Sequence, residues 1–224
     1  NFFNDDNDRY FPAIKNHISP SEEQRIFFLP RQYDTGLFSR IKEINLFRKS
    51  DRNVILAEDF LNFNDYLYSF LHLIRMLGKK REVVQWYGFD VSLFYYREVL
   101  YSMSSSIEAL LFYRAINGMR KKGLKILRFI NFTENQTIDK ALHAGIRNFF
   151  PNTINVGYEG YSPVSKYYCS FPTSLENRCG VLPDIFAFPG SSYSKWALQF
   201  CEDVSSIIVP HLRGRKIWQY SVPE

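Results

Sequence analysis

Several patterns that would assign a chemistry at once are missing from this chain of 224 residues. No GxGxxG or GxxxxGKS loop occurs, so the common phosphate-binding signatures are excluded. The four histidines form no His-x-x-x-His pair and no Ser/His/Asp grouping. The three cysteines, Cys169, Cys179 and Cys201, include no CxxC pair, which leaves neither a zinc site nor a disulfide framework. We therefore predict no metal, no cofactor and a reducing, cytoplasmic location.

Long apolar runs and strong charge are missing as well. The longest apolar stretches fall far short of the ~20 residues that cross a bilayer, and the first residues do not form a signal peptide. The net charge of +5 permits attraction to phosphate or to an anionic membrane surface, but the basic residues are too dispersed for a dedicated nucleic-acid binder. The chain begins with Asn1 rather than Met, which we interpret as the sign of a fragment.

What the chain has in quantity is apolar and aromatic side chains, at 46% and 17% of its residues. That content is enough for a substantial core. Many of the aromatic residues are tyrosines, whose rings stack on sugars or bases while their hydroxyl groups form hydrogen bonds. For any single aromatic residue, however, packing in the core is the simpler interpretation.

Short apolar runs alternate with longer amphipathic stretches along most of the chain. Residues 1–24 predict an irregular arm, residues 25–210 an α/β domain, and residues 211–224 a basic tail or a linker to a missing domain. This alternation predicts a mostly parallel sheet covered on both faces, in a Rossmann-like three-layer domain. The predicted strands are 25–29, 53–57, 82–87, 124–131, 153–156, 184–188 and 206–209. The predicted helices are 36–49, 64–77, 92–119 (as one helix or two), 134–149 and 192–202.

One junction between a strand and a helix stands out, at Glu134, Asn135 and Gln136. It lies at the carboxyl end of the fourth predicted strand, the edge at which open α/β sheets bind ligands. Glu134 could accept a proton from a substrate hydroxyl, and the two amides could form hydrogen bonds with sugar hydroxyls. The alternative is a plain helix start, with Thr133 as N-cap and Gln136 completing a capping box.

The segment after the fifth predicted strand is rich in Tyr and Gly. Tyr158, Glu159 and Tyr161 lie in and beside a turn that the flanking glycines permit, within a long ordered loop over residues 157–180. We predict that both tyrosines line a cleft and that Glu159 orients a hydroxyl group. An ordinary turn is the alternative interpretation.

Two further positions complete the set of candidates. Asp90 ends the third predicted strand and would share the sheet edge with Glu134 if the two strands are parallel neighbours. Ser191 follows Pro189-Gly190 at the start of a predicted helix, where an anion or a ribose could bind. The simpler alternatives are a helix cap for Asp90 and a plain strand–helix connection at Ser191.

The order of the short motifs resembles the N-terminal part of bacterial surface-carbohydrate biosynthesis proteins, the glycosyltransferases of capsule and O-antigen gene clusters. The resemblance spans roughly residues 83–210. One departure is Glu159, where the family pattern leads us to expect Gln. The motifs that carry the resemblance are Glu134-Asn-Gln136, Lys140-Ala-Leu142, Ile146-Arg147, Gly157-Tyr-Glu-Gly-Tyr161, Leu182-Pro-Asp184 and Pro189-Gly190.

The resemblance implies one half of a GT-B enzyme, in which two Rossmann-like domains face a cleft. This chain would bind the glycan acceptor, which can be lipid-linked and would then bring the protein to the inner membrane surface, while a second domain would bind the nucleotide sugar. Glu134 is the first choice for the general base and Asp90 the second. A non-catalytic glycan-binding or scaffolding module remains the alternative, and a nucleotide-binding epimerase or kinase is disfavoured because no glycine-rich loop is present.

Overall fold

The first half of the chain is largely helical in a computed structural model that describes residues 18–30, 37–49, 53–78, 83–160 and 171–211. None of the helices within these ranges is long and apolar enough to cross a membrane. The elements up to residue 121 are α1 (Pro20–Glu23), α2 (Leu37–Arg48), a 3-10 turn (Ala57–Phe60), α3 (Phe63–Phe70), α4 (His72–Leu77), β1 (Gln85–Trp86), β2 (Phe89–Asp90), α5 (Ser92–Tyr101) and α6 (Met103–Lys121).

The second half alternates strands with helices and contains the main sheet. Within the described residues this sheet has four strands, all parallel, in the order β3-β4-β5-β6. Helices flank it, so the predicted Rossmann-like α/β fold with a parallel sheet is confirmed. The elements are β3 (Arg128–Phe132), α7 (Thr137–Phe149), β4 (Ile154–Tyr158), α8 (Ser174–Arg178), β5 (Ile185–Phe188), α9 (Ser191–Ala197) and β6 (Ser205–Ile208).

The largest apolar core lies between α6 and α7. Ile116 of α6 and Ile146 of α7 are completely buried there, together with Leu142. Gly145 allows the two helices to approach closely, since a Cβ atom at this position would lie 3.2 Å from the Cβ of Ile116. On β3, Phe129 packs against the same core, which attaches the helix pair to the sheet.

The sheet packs differently on its two faces because side chains alternate along each strand. Phe186 and Phe188 of β5 face α9 and stack with ring centroids 5.6 Å apart. Phe132, Tyr158 and Ala187, which lie side by side in the strand register, form a small cluster on the opposite face. The strands therefore present apolar side chains on both faces, as expected of a parallel sheet.

The predicted strands in the first half are wrong as sheet members. Residues 25–29 and 53–57 form only an isolated bridge between Phe28 and Val54. The predicted third strand is instead part of an antiparallel hairpin made by β1 and β2, outside the parallel sheet. Its turn residues Tyr87 and Gly88 both have positive φ angles, 48° and 84°, as two-residue hairpin turns require.

Candidate functional site

Three loops meet at the carboxyl edge of the sheet, where β3, β4 and β5 end. Backbone hydrogen bonds continue one residue beyond the strands, since Thr133 N donates to Tyr158 O at 2.9 Å and Glu159 N donates to Ala187 O at 3.1 Å. These bonds place the segment after β3 beside the segment after β4. The edge on which sequence analysis placed the site therefore brings Glu134 and Glu159 into neighbouring loops.

The loop after β3 is fixed by the buried carboxylate of Asp139. Its Oδ2 accepts hydrogen bonds from the backbone N–H groups of Glu134 at 2.9 Å and Gln136 at 3.0 Å, and its Oδ1 accepts one from Asn131 Nδ2 at 2.9 Å. Gln136, not Thr133, is the N-cap of α7, and Asp139 completes the capping box. The helix thus begins later than predicted, at Thr137, and Asp139 holds the backbone of the loop at two residues.

A buried polar network supports this loop from below. Thr133 Oγ1 lies 3.1 Å from His143 Nε2, and His143 Nδ1 lies 2.7 Å from Asn155 Oδ1. The amide of Asn155 also donates from Nδ2 to the backbone carbonyl of His143, at 3.3 Å. This orientation of the amide assigns the imidazole proton to Nδ1. The network ties β3, β4 and α7 together directly beneath the site.

Glu134 is half-buried, and its side chain is positioned by a neighbour in the same loop. Its Oε2 accepts a hydrogen bond of 2.7 Å from Gln136 Nε2. The negative charge of Glu134 also raises the pKa of Glu159, so the two carboxyl groups are within electrostatic reach of each other. The carboxyl group of Glu134 therefore lies at the sheet edge with one oxygen held by an amide.

Glu159 is the most strongly perturbed acid of the site, with 3% of its surface exposed. Burial raises the pKa of Glu159 to about 8; a hydrogen bond from Tyr193 opposes this rise, and the charge of Glu134 adds to it. Tyr193 Oη donates to Oε2, whereas Oε1 is buried without a hydrogen-bond partner among the described residues. At neutral pH the Glu159 carboxyl group is therefore mainly protonated.

Two residues of this site were missed by the sequence analysis. Tyr193, in α9, bonds to Glu159, and its ring packs edge-on against Phe188 with centroids 5.3 Å apart. His211 follows β6, and its Nε2 donates to the carbonyl of Gly160 at 2.7 Å. Both residues lie more than thirty positions from their partners, and no local pattern in the sequence could have indicated these contacts.

Several predicted contact residues instead hold the structure together. The ring of Tyr158 is buried against Phe132, with centroids 6.0 Å apart, and does not line a cleft. A Cβ atom at Gly160 would lie 2.6 Å from the Phe132 ring and 2.9 Å from the Tyr158 ring, so the chain passes directly over both. Asn135 has a positive φ of 56° and is buried, and its Nδ2 donates to the carbonyl of Phe171 at 3.1 Å.

The remaining predicted residues fall at different places. Ser191 is exposed at the first position of α9, the helix that carries Tyr193. Asp90 lies in the hairpin outside the parallel sheet, so the expectation that it shares an edge with Glu134 is wrong. Hydrogen bonds from Ser92 lower the pKa of Asp90, including one of 2.9 Å from Ser92 N to Asp90 Oδ1. Tyr161 lies outside the described residues.

Taken together, the site offers proton chemistry and hydrogen bonding. Within the described part of the chain, no group of three or more His, Cys, Asp or Glu side chains is arranged to hold a metal ion.

Comparison of the chain with protein-family models, with curated proteins and with solved structures finds no match. The chemistry of Glu134 and Glu159 is therefore the main physical guide to function.

Proposed function

We propose that this chain is the acceptor-binding domain of a glycosyltransferase of bacterial surface polysaccharide biosynthesis, with Glu134 as general base. The observation that carries the proposal is the pair of carboxyl groups, Glu134 and Glu159, at the carboxyl edge of a parallel sheet. Burial raises the pKa of Glu159 to about 8, and carboxyl groups whose pKa is tuned by their surroundings are typical of acid–base sites.

In the proposed reaction, Glu134 removes the proton from an acceptor hydroxyl. The hydroxyl oxygen then forms a bond to the anomeric carbon of a nucleotide sugar held by a second domain. The bond from that carbon to the phosphate oxygen breaks, and the nucleotide leaves with the electron pair. The proton remains on Glu134, so the step balances without a metal or a redox partner.

Glu159 supports this role by carrying a proton of its own. A neutral Glu159 adds no second negative charge at this edge, which favours binding of a neutral hydroxyl there. Gln136 contributes by holding Oε2 of Glu134, so that the carboxylate has a defined orientation. Asn135 and Tyr158 act in this proposal through the fold, because both are buried.

The test is Glu134→Gln in the full-length protein, assayed for nucleotide release from a panel of nucleotide sugars with oligosaccharide acceptors. We expect kcat to fall roughly 10²- to 10⁴-fold, the range for loss of a general base. Glu98→Gln, an exposed change on α5, is the matched control and should keep full activity. Undiminished transfer by a folded Glu134→Gln protein would remove Glu134 from the base role.

A glycan-binding or scaffolding module is the second candidate function. It is favoured by the sequence, which contains no glycine-rich motif for the phosphates of a nucleotide sugar. Calorimetric titration with the same oligosaccharides distinguishes the two functions. Binding by the full-length protein without any turnover, in the presence of every donor in the panel, would support the module and contradict the transferase.

A further inference from the structure

Helices α3 and α4 carry an exposed stripe of large apolar side chains, here called the apolar stripe. Its members recur at alternating intervals of four and three residues, the spacing of seams between packed helices. Between 46% and 78% of each side chain is exposed, although such a stripe normally faces the core. The apolar stripe consists of Phe63, Leu67, Phe70, Ile74 and Leu77.

The opposite face of α3 is polar and faces the protein interior. Asp65 and Ser69 are its buried residues, with exposures of 4% and 0%. Asp65 Oδ1 accepts a hydrogen bond of 2.6 Å from Arg114 Nε of α6, and Ser69 Oγ donates to Asp65 O at 2.9 Å. The helix is thus inverted relative to an ordinary surface helix, since it buries polar groups and presents apolar ones.

The apolar stripe is continuous across the short break between the two helices. Leu71 N donates to Leu67 O at 2.9 Å, and Arg75 N donates to Leu71 O at 3.0 Å. The helical hydrogen-bond pattern therefore runs through Leu71, and the residues on either side of it stay on one face. α3 and α4 together present a stripe about four turns long, which is enough to pair with another helix.

The charges near the apolar stripe favour a protein partner over a lipid surface. Asp65 and Arg75 are the only Asp, Glu, Lys or Arg residues between positions 63 and 77. Asp65 is buried, and the guanidinium of Arg75 lies 4.0 Å from the ring centre of Tyr68 and donates to Tyr68 O at 2.6 Å. Helices that lie on membranes are typically rich in Lys and Arg on their polar face, whereas here the basic residues Lys79, Lys80 and Arg81 follow α4 and do not lie within it.

We propose that a second copy of this chain packs against the apolar stripe, so that the protein is a two-fold dimer through α3 and α4. At about 200 Å² for a large apolar side chain, the exposed parts of the stripe amount to roughly 600 Å². Two copies would bury about 1,200 Å², the lower end of specific protein interfaces. A two-fold axis places the same stripe on both sides, which makes an uncharged apolar surface complementary to itself.

The test measures molar mass by light scattering over a concentration series for the wild type and Ile74→Asp. We expect a dimer that Ile74→Asp weakens by roughly a hundredfold or more, because a central apolar contact is replaced twice by a charge. Leu175→Asp is the matched control, since Leu175 on α8 is 62% exposed and Ile74 is 64% exposed. Phe63→Asp, at 78% exposure, should act like Ile74→Asp without affecting the fold.

Three outcomes would overturn the proposal. The first is a wild type that stays monomeric at every concentration. The second is a dimer that Ile74→Asp and Phe63→Asp leave intact while circular dichroism reports native folds. The third is a monomeric wild type that binds vesicles of phosphatidylcholine and phosphatidylglycerol in a flotation assay, together with loss of this binding in the Ile74→Asp variant. That result would assign the apolar stripe to lipid binding.

Discussion

Replacing Glu159 with Gln should change the pH dependence of stability more than any other single substitution at the site. The pKa of Glu159 rises from an ordinary value of 4.5 to about 8 in the folded chain. Since a tenfold difference in proton affinity is worth about 1.4 kcal/mol, the folded chain binds this proton more tightly by about 5 kcal/mol. The side chain is almost completely buried, so solvent screening reduces this figure little.

The sign follows from which state releases its proton first. Below pH 4.5 both the folded and the unfolded chain carry the proton on Glu159, and the full stability is present. Between pH 4.5 and about 8 the unfolded chain ionises while the folded chain stays protonated, so the free energy of unfolding falls as the pH rises. Above about 8 both states are ionised, and this contribution is lost completely.

Urea unfolding of the wild type and of Glu159→Gln, from below pH 4.5 to above pH 8, measures this difference. We expect the variant to gain up to about 5 kcal/mol on the wild type across that interval. Any constant cost of an unpaired Gln amide cancels, because only the change with pH is compared. Glu134→Gln removes a negative charge that raises the pKa of Glu159, so in this variant the fall in stability should be smaller and should end at a lower pH than in the wild type. Curves for Glu159→Gln and the wild type that stay parallel would refute the reasoning.

Two further substitutions test the packing of α6 in the first half and the anchoring of the loop after β3. Gly118→Ala would place a Cβ atom 2.0 Å from the carbonyl oxygen of Phe60, so the turn must move away from α6, and we expect a loss of about 2–3 kcal/mol in urea unfolding. Gly78→Ala is its control, with the nearest atom at 3.4 Å and an expected change of less than about 0.5 kcal/mol. Asp139→Asn has one acceptor oxygen in place of two, so its NH₂ group must face either the backbone donors Glu134 N and Gln136 N or the donor Asn131 Nδ2, and the change should cost about 1–3 kcal/mol by the same method. Unchanged stability would contradict the capping role.

The fold class could be predicted because alternating strand and helix patterns are local signals. The third predicted strand failed because residues 82–87 read as an extended apolar run, which fits a hairpin as well as a sheet strand. The start of α7 was misplaced because Thr133-x-x-Gln136 and Gln136-x-x-Asp139 both fit a capping box, and the burial of Asp139 decides between them.

Site residues were harder to predict than elements. The sequence placed Glu134 and Glu159 on the correct edge, because both directly follow predicted strands. The sequence does not show that Tyr158 packs in the core with Phe132 and Ala187. Strands of a parallel sheet are apolar on both faces, so their alternation gives no sign of which side chains are buried. The contact from Tyr193 to Glu159 joins residues 34 positions apart, and only the folded chain brings them together.

The anchoring of the loop after β3 has a consequence for how its chemistry can change. Asp139 accepts hydrogen bonds from the backbone N–H groups of Glu134 and Gln136. A backbone N–H group is the same whatever side chain the residue carries. The backbone at position 134 therefore does not depend on a glutamate being there. A residue with a different reactive side chain can therefore replace Glu134 without a change of the loop backbone. This makes the loop a suitable starting point for redesigning the chemistry of the sheet edge.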